Sequence, residues 1–278
     1  GVVLSFRAVL TDLAGNRKDG ALSGNTLTID TVLPTASLSY TVGGSPVSRV
    51  KELAEVLVTA TLSESVAADP VLQISASGSN TVSAVDMTFG SSTSYTYSWT
   101  VGGGDGNTNF VVSVAKDLAG NVIAATPTAG GIIIVDNTAP SAFTTGVVTA
   151  VGGVVQVGYW NASNSGLTVS VPIADDASLT GGTVQVQGKA GSGSYAALGS
   201  AVALSSVDLS QDKVITISPS QLAGHPDYGQ GKVFTFRGVL TDLAGNKKDG
   251  SPSSTTLTID TVIPVDFTTG VVVVSGGE

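Results

Sequence analysis

Val233-Phe-Thr-Phe-Arg-Gly-Val-Leu-Thr-Asp-Leu-Ala-Gly-Asn246 opens with large apolar residues at nearly every second position and then breaks into Asp, Gly and Asn. A period of two belongs to a strand with one face in a core. The cluster that follows is turn chemistry: Asp bonds backbone amides through its side chain, Gly supplies positive φ, and Asn tolerates the left-handed region. The same alternation runs through Val56-Leu-Val-Thr-Ala-Thr-Leu62, Leu167-Thr-Val-Ser-Val-Pro-Ile173, Thr183-Val-Gln-Val-Gln187, Val214-Ile-Thr-Ile217 and Thr256-Leu-Thr-Ile259, separated by Gly, Ser, Asn and Asp clusters.

The quoted turn is repeated. Val9-Leu-Thr-Asp-Leu-Ala-Gly-Asn16 is a full copy of Val239 to Asn246, and Ala115-Lys-Asp-Leu-Ala-Gly-Asn121 a shorter one. About 18 residues after each comes a second marker, Ile29-Asp-Thr-Val-Leu-Pro34, Val135-Asp-Asn-Thr-Ala-Pro140 and Ile259-Asp-Thr-Val-Ile-Pro264. Phe143-Thr-Thr-Gly-Val-Val148 and Phe267-Thr-Thr-Gly-Val-Val272 follow two of those prolines. Self-similarity of this kind marks a tandem array. With the Asp-x-x-x-Pro marker as boundary, the chain divides into the C-terminal part of one repeat (1–30), a complete repeat (31–136), a longer complete repeat (137–260) and the first strand of a further repeat (261–278). The truncated ends match the longer sub-type, since Val3 to Asp19 follows Val233 to Asp249 with few changes. About seven short strands per complete unit and no convincing helix predict an all-β chain of antiparallel sandwiches of immunoglobulin type, joined by short linkers. Val50 to Val58, with Lys51, Glu52 and Glu55, suits a helical turn or an extended lead-in. The strands Val3 to Leu10 and Leu22 to Ile29, and Phe267 to Val274 at the other end, are expected to leave open edges.

Composition excludes much else. Twelve bases against 21 acids, a net charge of -9, give no footprint for nucleic acid or an anionic membrane surface, and make cations the favoured partners. With no Cys there is no disulfide and no thiolate metal site, and a single His removes most imidazole-based catalysis. Apolar runs such as Ile132 to Val135 are strand-sized, far short of a membrane span. No nucleophile–base pair stands out, so no enzyme is expected.

Strand parity says where the acids go. In a seven-strand sandwich the loop after the second strand, the loop before the last strand and the incoming linker share one end. In the first complete unit those places hold Glu64, Asp117 to Asn121, and Asp30. In the second they hold Asp175 and Asp176, Asp242 to Asn246, and Asp136, while Asp12 and Asp260 are the matching positions of the partial units. Val56 to Glu64 and Leu167 to Asp175 have the same separation. Carboxylates roughly 4 to 6 Å apart repel by on the order of 3 kcal/mol per pair at an effective dielectric near 20. Ca²⁺, with six to eight oxygen ligands and a tolerant geometry, offsets this, so the expected cofactor is one Ca²⁺ per junction. The competing reading is a plain turn plus a terminal strand residue, with Pro stopping the ladder. EF-hand spacing is absent, so such a site is composite.

Other signals read as structure. Gly102-Gly-Gly-Asp-Gly-Asn107 and Gly188-Lys-Ala-Gly-Ser-Gly193 are expected to be hairpin turns instead of phosphate loops. Trp99 and Trp160 read as core or interface filler, His225 beside Pro226 as a solvent-facing loop residue, and Lys116 and Lys213 as ordinary strand residues instead of isopeptide cross-links.

Tandem units with an Asp-Leu-Ala-Gly-Asn turn, a closing Val/Ile-Asp-x-x-x-Pro linker and Thr61-Leu-Ser-Glu-Ser-Val66 resemble the bacterial Ig-like repeats of giant cell-surface and biofilm adhesins. The resemblance implies an extracellular, calcium-rigidified stalk or fibre at the cell surface whose partners are the neighbouring repeats of the same chain. A segment of an ordered filament with lateral self-association is the alternative, and a carbohydrate-binding accessory module a third.

Overall fold

The computed structural model describes residues 1–270, so Val271 to Val274 of the expected last strand lie outside the described residues. The chain forms two compact units, Gly1–Thr138 and Ala139–Glu278.

The first unit opens with a hairpin, in which β1 (Val2–Thr11) pairs antiparallel with β2 (Arg17–Ile29) as a two-stranded sheet. A sandwich follows. One sheet has the order β4-β3-β6-β10-β9, built from β3 (Ala36–Val42), β4 (Ser45–Pro46), β6 (Glu55–Leu62), β9 (Thr88–Ser91) and β10 (Ser94–Thr100). The other is β5-β12-β11-β7-β8, from β5 (Arg49–Val50), β7 (Gln73–Gly78), β8 (Val82–Asp86), β11 (Gly106–Ser113) and β12 (Ile132–Val135). All pairs are antiparallel except β5 with β12. The alternation read from the sequence is the packing: Val56, Val58, Ala60 and Leu62 of β6 face inward and the residues between them face out or partly out. Across the core Trp99 meets Phe110 edge-on with centroids 5.2 Å apart.

The second unit repeats the plan. β13 (Val148–Val151), β15 (Gly166–Pro172) and β19 (Asp212–Ile217) form one sheet. β14 (Tyr159–Trp160), β16 (Thr183–Ala190), β17 (Ala196–Ala197), β20 (Val233–Thr241) and β22 (Leu257–Ile259) form the other, with β18 (Val202–Ala203) beside β16 and β21 (Lys247–Asp249) beside β20. The first, second and fifth long strands share one sheet and the third, sixth and seventh the other, which is the strand order of an immunoglobulin sandwich. Residues 261–270 are exposed and carry no regular secondary structure.

Several sequence expectations are corrected. His225 is buried, 4% exposed, not solvent-facing: its Nε2 lies 2.8 Å from the Gly188 carbonyl, its Nδ1 accepts the Asp227 N–H, and Phe234 packs edge-on against the ring. The Gly102 to Asn107 segment is not a hairpin turn, because β10 and β11 belong to different sheets and the glycines carry the chain across. Short helical turns do occur, at Ala177–Leu179, Ser206–Asp208 and α1 (Pro219–Ala223), the last with a Ser218–Gln221 capping box. Val50 to Val58 resolves into β5, a turn and β6. Trp99 and Trp160 are core, Lys116 is exposed, and Lys213 is bridged to Asp208 at 2.7 Å.

Candidate metal centre

The Asp-Leu-Ala-Gly-Asn turn is the same object three times. In each, the Asp N–H donates to the Asn carbonyl at 3.0 Å and the Gly N–H returns to the Asp carbonyl. One carboxylate oxygen accepts the Asn N–H at 2.8 Å, for Asp12, Asp117 and Asp242 alike. The other accepts the Asn side-chain amide at 2.8, 2.7 and 2.9 Å. Gly15, Gly120 and Gly245 have φ of 87, 97 and 90°, where a Cβ is strained. The turn therefore closes on itself without help, and the plain-turn account of its Asp, Gly and Asn describes all three copies.

What differs is the company. Asp12 lies at the exposed tip of the hairpin. Asp117, 4% exposed, is met by two further acids, and oxygens of Asp30, Glu64 and Asp117 all lie within 4.8 Å of one another. Strand parity explains the meeting: Glu64 follows β6, Asp117 precedes β12, and Asp30 sits on the segment entering β3. The acids line a cleft of about 400 Å³ with Thr28, Ser65, Leu118 and Ala119. Ligands on opposite sides of a Ca²⁺ ion, each at 2.3–2.6 Å, are about 5 Å apart, so the three carboxylates fit one coordination sphere, with water completing it.

Asn121 enters this cluster as a donor. Its Nδ2 gives hydrogen bonds to Asp117 Oδ2 and, at 3.0 Å, to the Asp30 carbonyl, tying the linker to the turn. The Asn121 side-chain amide, aided by the backbone N–H groups of Asn121, Gly120 and Ala119, holds the Asp117 carboxyl below its ordinary range, against the opposing effect of burial. Asp12 is lowered in the same way by Asn16.

The other linker acids have different surroundings. Asp136 is 7% exposed and its Oδ2 meets Arg49 at 3.0 Å. Next to it Asn137 accepts from the Glu52 N–H, and Asp105 accepts from Asn137 N–H and Thr138 Oγ1. Asp260 is exposed and accepts from Gln230 Nε2 at 2.6 Å. In the second unit Asp175 is exposed, while Asp176 caps the turn at Ala177 by accepting from Ser178 N and Oγ. The Leu243 N–H donates to the Ser178 carbonyl, so the Asp242–Asn246 turn and the Asp176 loop adjoin. Sequence reasoning missed Arg49, Asp105 and Gln230. Their partners are 87, 32 or 33 and 30 or 31 residues distant, and no local pattern marks them.

No protein-family model and no curated protein matches the chain. Solved structures give distant likenesses. The FN1-FN3 domains of chicken CNTN1 are 15% identical, with 92% of this chain and 77% of that one covered at a TM-score of 0.36. Domains A168-A170 from titin are 11% identical, with 93% and 89% covered at 0.37. A tetra-tandem repeat in the extending region of a large adhesion protein is 17% identical, with 92% and 56% covered at 0.30, so this chain spans about half of that one. The immunoglobulin-type architecture rests on the strand order above. Among the described residues no helix is long and apolar enough to cross a membrane.

Proposed function

We infer that this chain is a structural segment of an extracellular, cell-surface adhesive protein, an array of β-sandwiches stiffened by Ca²⁺. The observation that carries the reading is the convergence of Asp30, Glu64 and Asp117: an acid from the entering linker meets acids from two loops of the sandwich it enters. A cation there ties the linker to the sandwich and removes the repulsion among three carboxylates, which is a mechanical role, not a catalytic one. The Asp136 linker supports the same role by other means, since Arg49 supplies the positive charge from inside the sandwich. Trp99 and Trp160 cannot serve as a platform for sugar rings, because both side chains are buried.

The test is thermal melting of the whole chain with calcium and with chelator. Binding to the folded state alone at a hundredfold excess over Kd adds about 2.7 kcal/mol, a shift on the order of 10 °C for a domain of this size. An unchanged melting temperature, with unchanged chain extension by small-angle scattering, contradicts the reading.

A further inference from the structure

The two sandwiches differ at one sheet edge. In the first, β9 lies against β10 over Ser94–Thr96. In the second, the chain between β16 and β19 forms β17 and β18, which both pair with β16. β19 therefore ends its three-stranded sheet, and among the described residues no strand lies on its outer side. Both edges lie within complete repeats.

Hydrogen-bond phase says which groups the open edge carries. The Ile173 N–H donates to the Gln211 carbonyl at 2.9 Å, and β15 pairs with β19 without a register shift from Pro172 opposite Asp212 to Leu167 opposite Ile217. Alternation in an antiparallel ladder then turns the backbone groups of Lys213, Ile215 and Ile217 toward β15, and those of Asp212, Val214 and Thr216 away from it. Pro172, which has no N–H, sits where the ladder with β19 asks for none.

The side chains do not guard this edge. Exposed edges are normally blunted by Lys, Pro, a bulge or an inward charge. Asp212-Lys-Val-Ile-Thr-Ile217 has no Pro and no bulge, and Lys213 is partly buried and committed to Asp208 at 2.7 Å. Val214 to Ile217 is entirely β-branched, which favours a strand. Val214 is 59% exposed, and Val207, on the Ser206–Asp208 turn bridged to this strand, is 80% exposed.

We propose that β19 is a self-association edge, pairing antiparallel with β19 of a second copy so that Val214 lies opposite Val214 on a two-fold axis. In that register each Val214 exchanges backbone bonds with its twin and Asp212 exchanges them with Thr216, so every outward group of the edge is used. Asp212 faces Thr216 and Lys213 faces Ile215, so no like charges meet across the contact, in a chain whose net charge of -9 opposes most self-contacts. Sliding one step one way sets Lys213 against Lys213. Sliding the other way sets Asp212 against Ser218, whose N–H and carbonyl are already bonded to Gln221 and Leu222. Strand addition of this kind draws its affinity from main-chain hydrogen bonds. The contact is isologous and closes as a pair, joining chains through their sheets. It does not rest on calcium.

Sedimentation equilibrium of the full chain, in chelator as well as in calcium, is expected to show a monomer–dimer equilibrium. Val214→Lys sets two ammonium groups on the axis and is expected to weaken association by about tenfold or more. Circular dichroism and melting should stay those of the parent, because the side chain is exposed. Val214→Glu is expected to act in the same way by itself. An equimolar mixture of the two variants should form a heterodimer, a rescue that a merely structural defect does not give. A parent chain that stays monomeric at millimolar concentration, a dimer indifferent to Val214→Lys, or a mixture that stays monomeric overturns the proposal.

Discussion

Residues 1–34 and 231–264 are identical at 24 of 34 positions, yet one copy lies open and the other is core. Phe6 is 51% exposed and Leu10 73%, whereas Phe236 and Leu240 are 0% and 1%. Local structure does not differ to match. Val3 pairs with Thr28 as Val233 pairs with Thr258, and Leu10 with Lys18 as Leu240 with Lys248. Arg7 bridges Asp19 as Arg237 bridges Asp249, at 3.1 and 2.7 Å. Turn chemistry and cross-strand pairs therefore set register and ion pairing within the hairpin, while burial comes from what packs around β20: the sheet of β13, β15 and β19, the neighbouring strand β16, and core residues such as Leu198 and His225. The same logic separates the acids: the Asp12 turn is complete by itself, and Asp117 becomes a candidate ligand only because two other segments arrive beside it.

The largest expected effect breaks the first comparison at its centre. Phe236→Ala removes a fully buried ring and should destabilise the second unit by about 3–5 kcal/mol, whereas Phe6→Ala should change stability by less than about 0.5 kcal/mol. Denaturant melts of both variants check the contrast. The acid turns give a middle-sized one. Asp242→Ala removes a buried carboxylate that accepts both the backbone N–H and the side-chain amide of Asn246 and should cost about 1–3 kcal/mol, with Asp12→Ala at the exposed tip near zero. At the Asp136 linker, Arg49→Gln removes the charge facing a nearly buried carboxylate, and a loss of about 1–3 kcal/mol is expected in the same melts.

The smallest is a pH effect. Asp117 has its pKa lowered on folding, so its contribution is fully present above the unfolded carboxyl value, near 3.9, and is lost as pH falls through the lower folded value. An acid titration of stability in chelator should show this component in the parent and lack it in Asp117→Asn. With calcium present, proton competition should weaken binding over the same acidic window.

Much of this was legible in the sequence because it is written at short range or repeated. Period-two strands such as Val56 to Leu62 and Val233 to Leu240 occupy β6 and β20, and the alternation decides which side chains reach the core. Parity then brought Asp30, Glu64 and Asp117 to one end without knowledge of any contact. What escaped was decided at long range. His225 lies in a loop rich in Gly, Pro and Asp, but its ring finds the Gly188 carbonyl 37 residues away and an aromatic neighbour in Phe234. Asp105-Gly106 carries hairpin chemistry, yet the flanking strands go to opposite sheets, a choice that the global strand order makes. Arg49 gives no sign of Asp136 until β5 is laid parallel beside β12. Ser218-Pro-Ser-Gln221, by contrast, is a capping signal that a closer reading finds in the sequence itself.

The central claim is that Asp117 differs from Asp12 through its neighbours, and calorimetric titration of calcium into the whole chain tests it most directly. The account predicts saturable binding that weakens at least tenfold in Asp30→Asn or Glu64→Gln and is unchanged in Asp12→Asn. Absence of binding, or binding indifferent to Glu64→Gln, would contradict it.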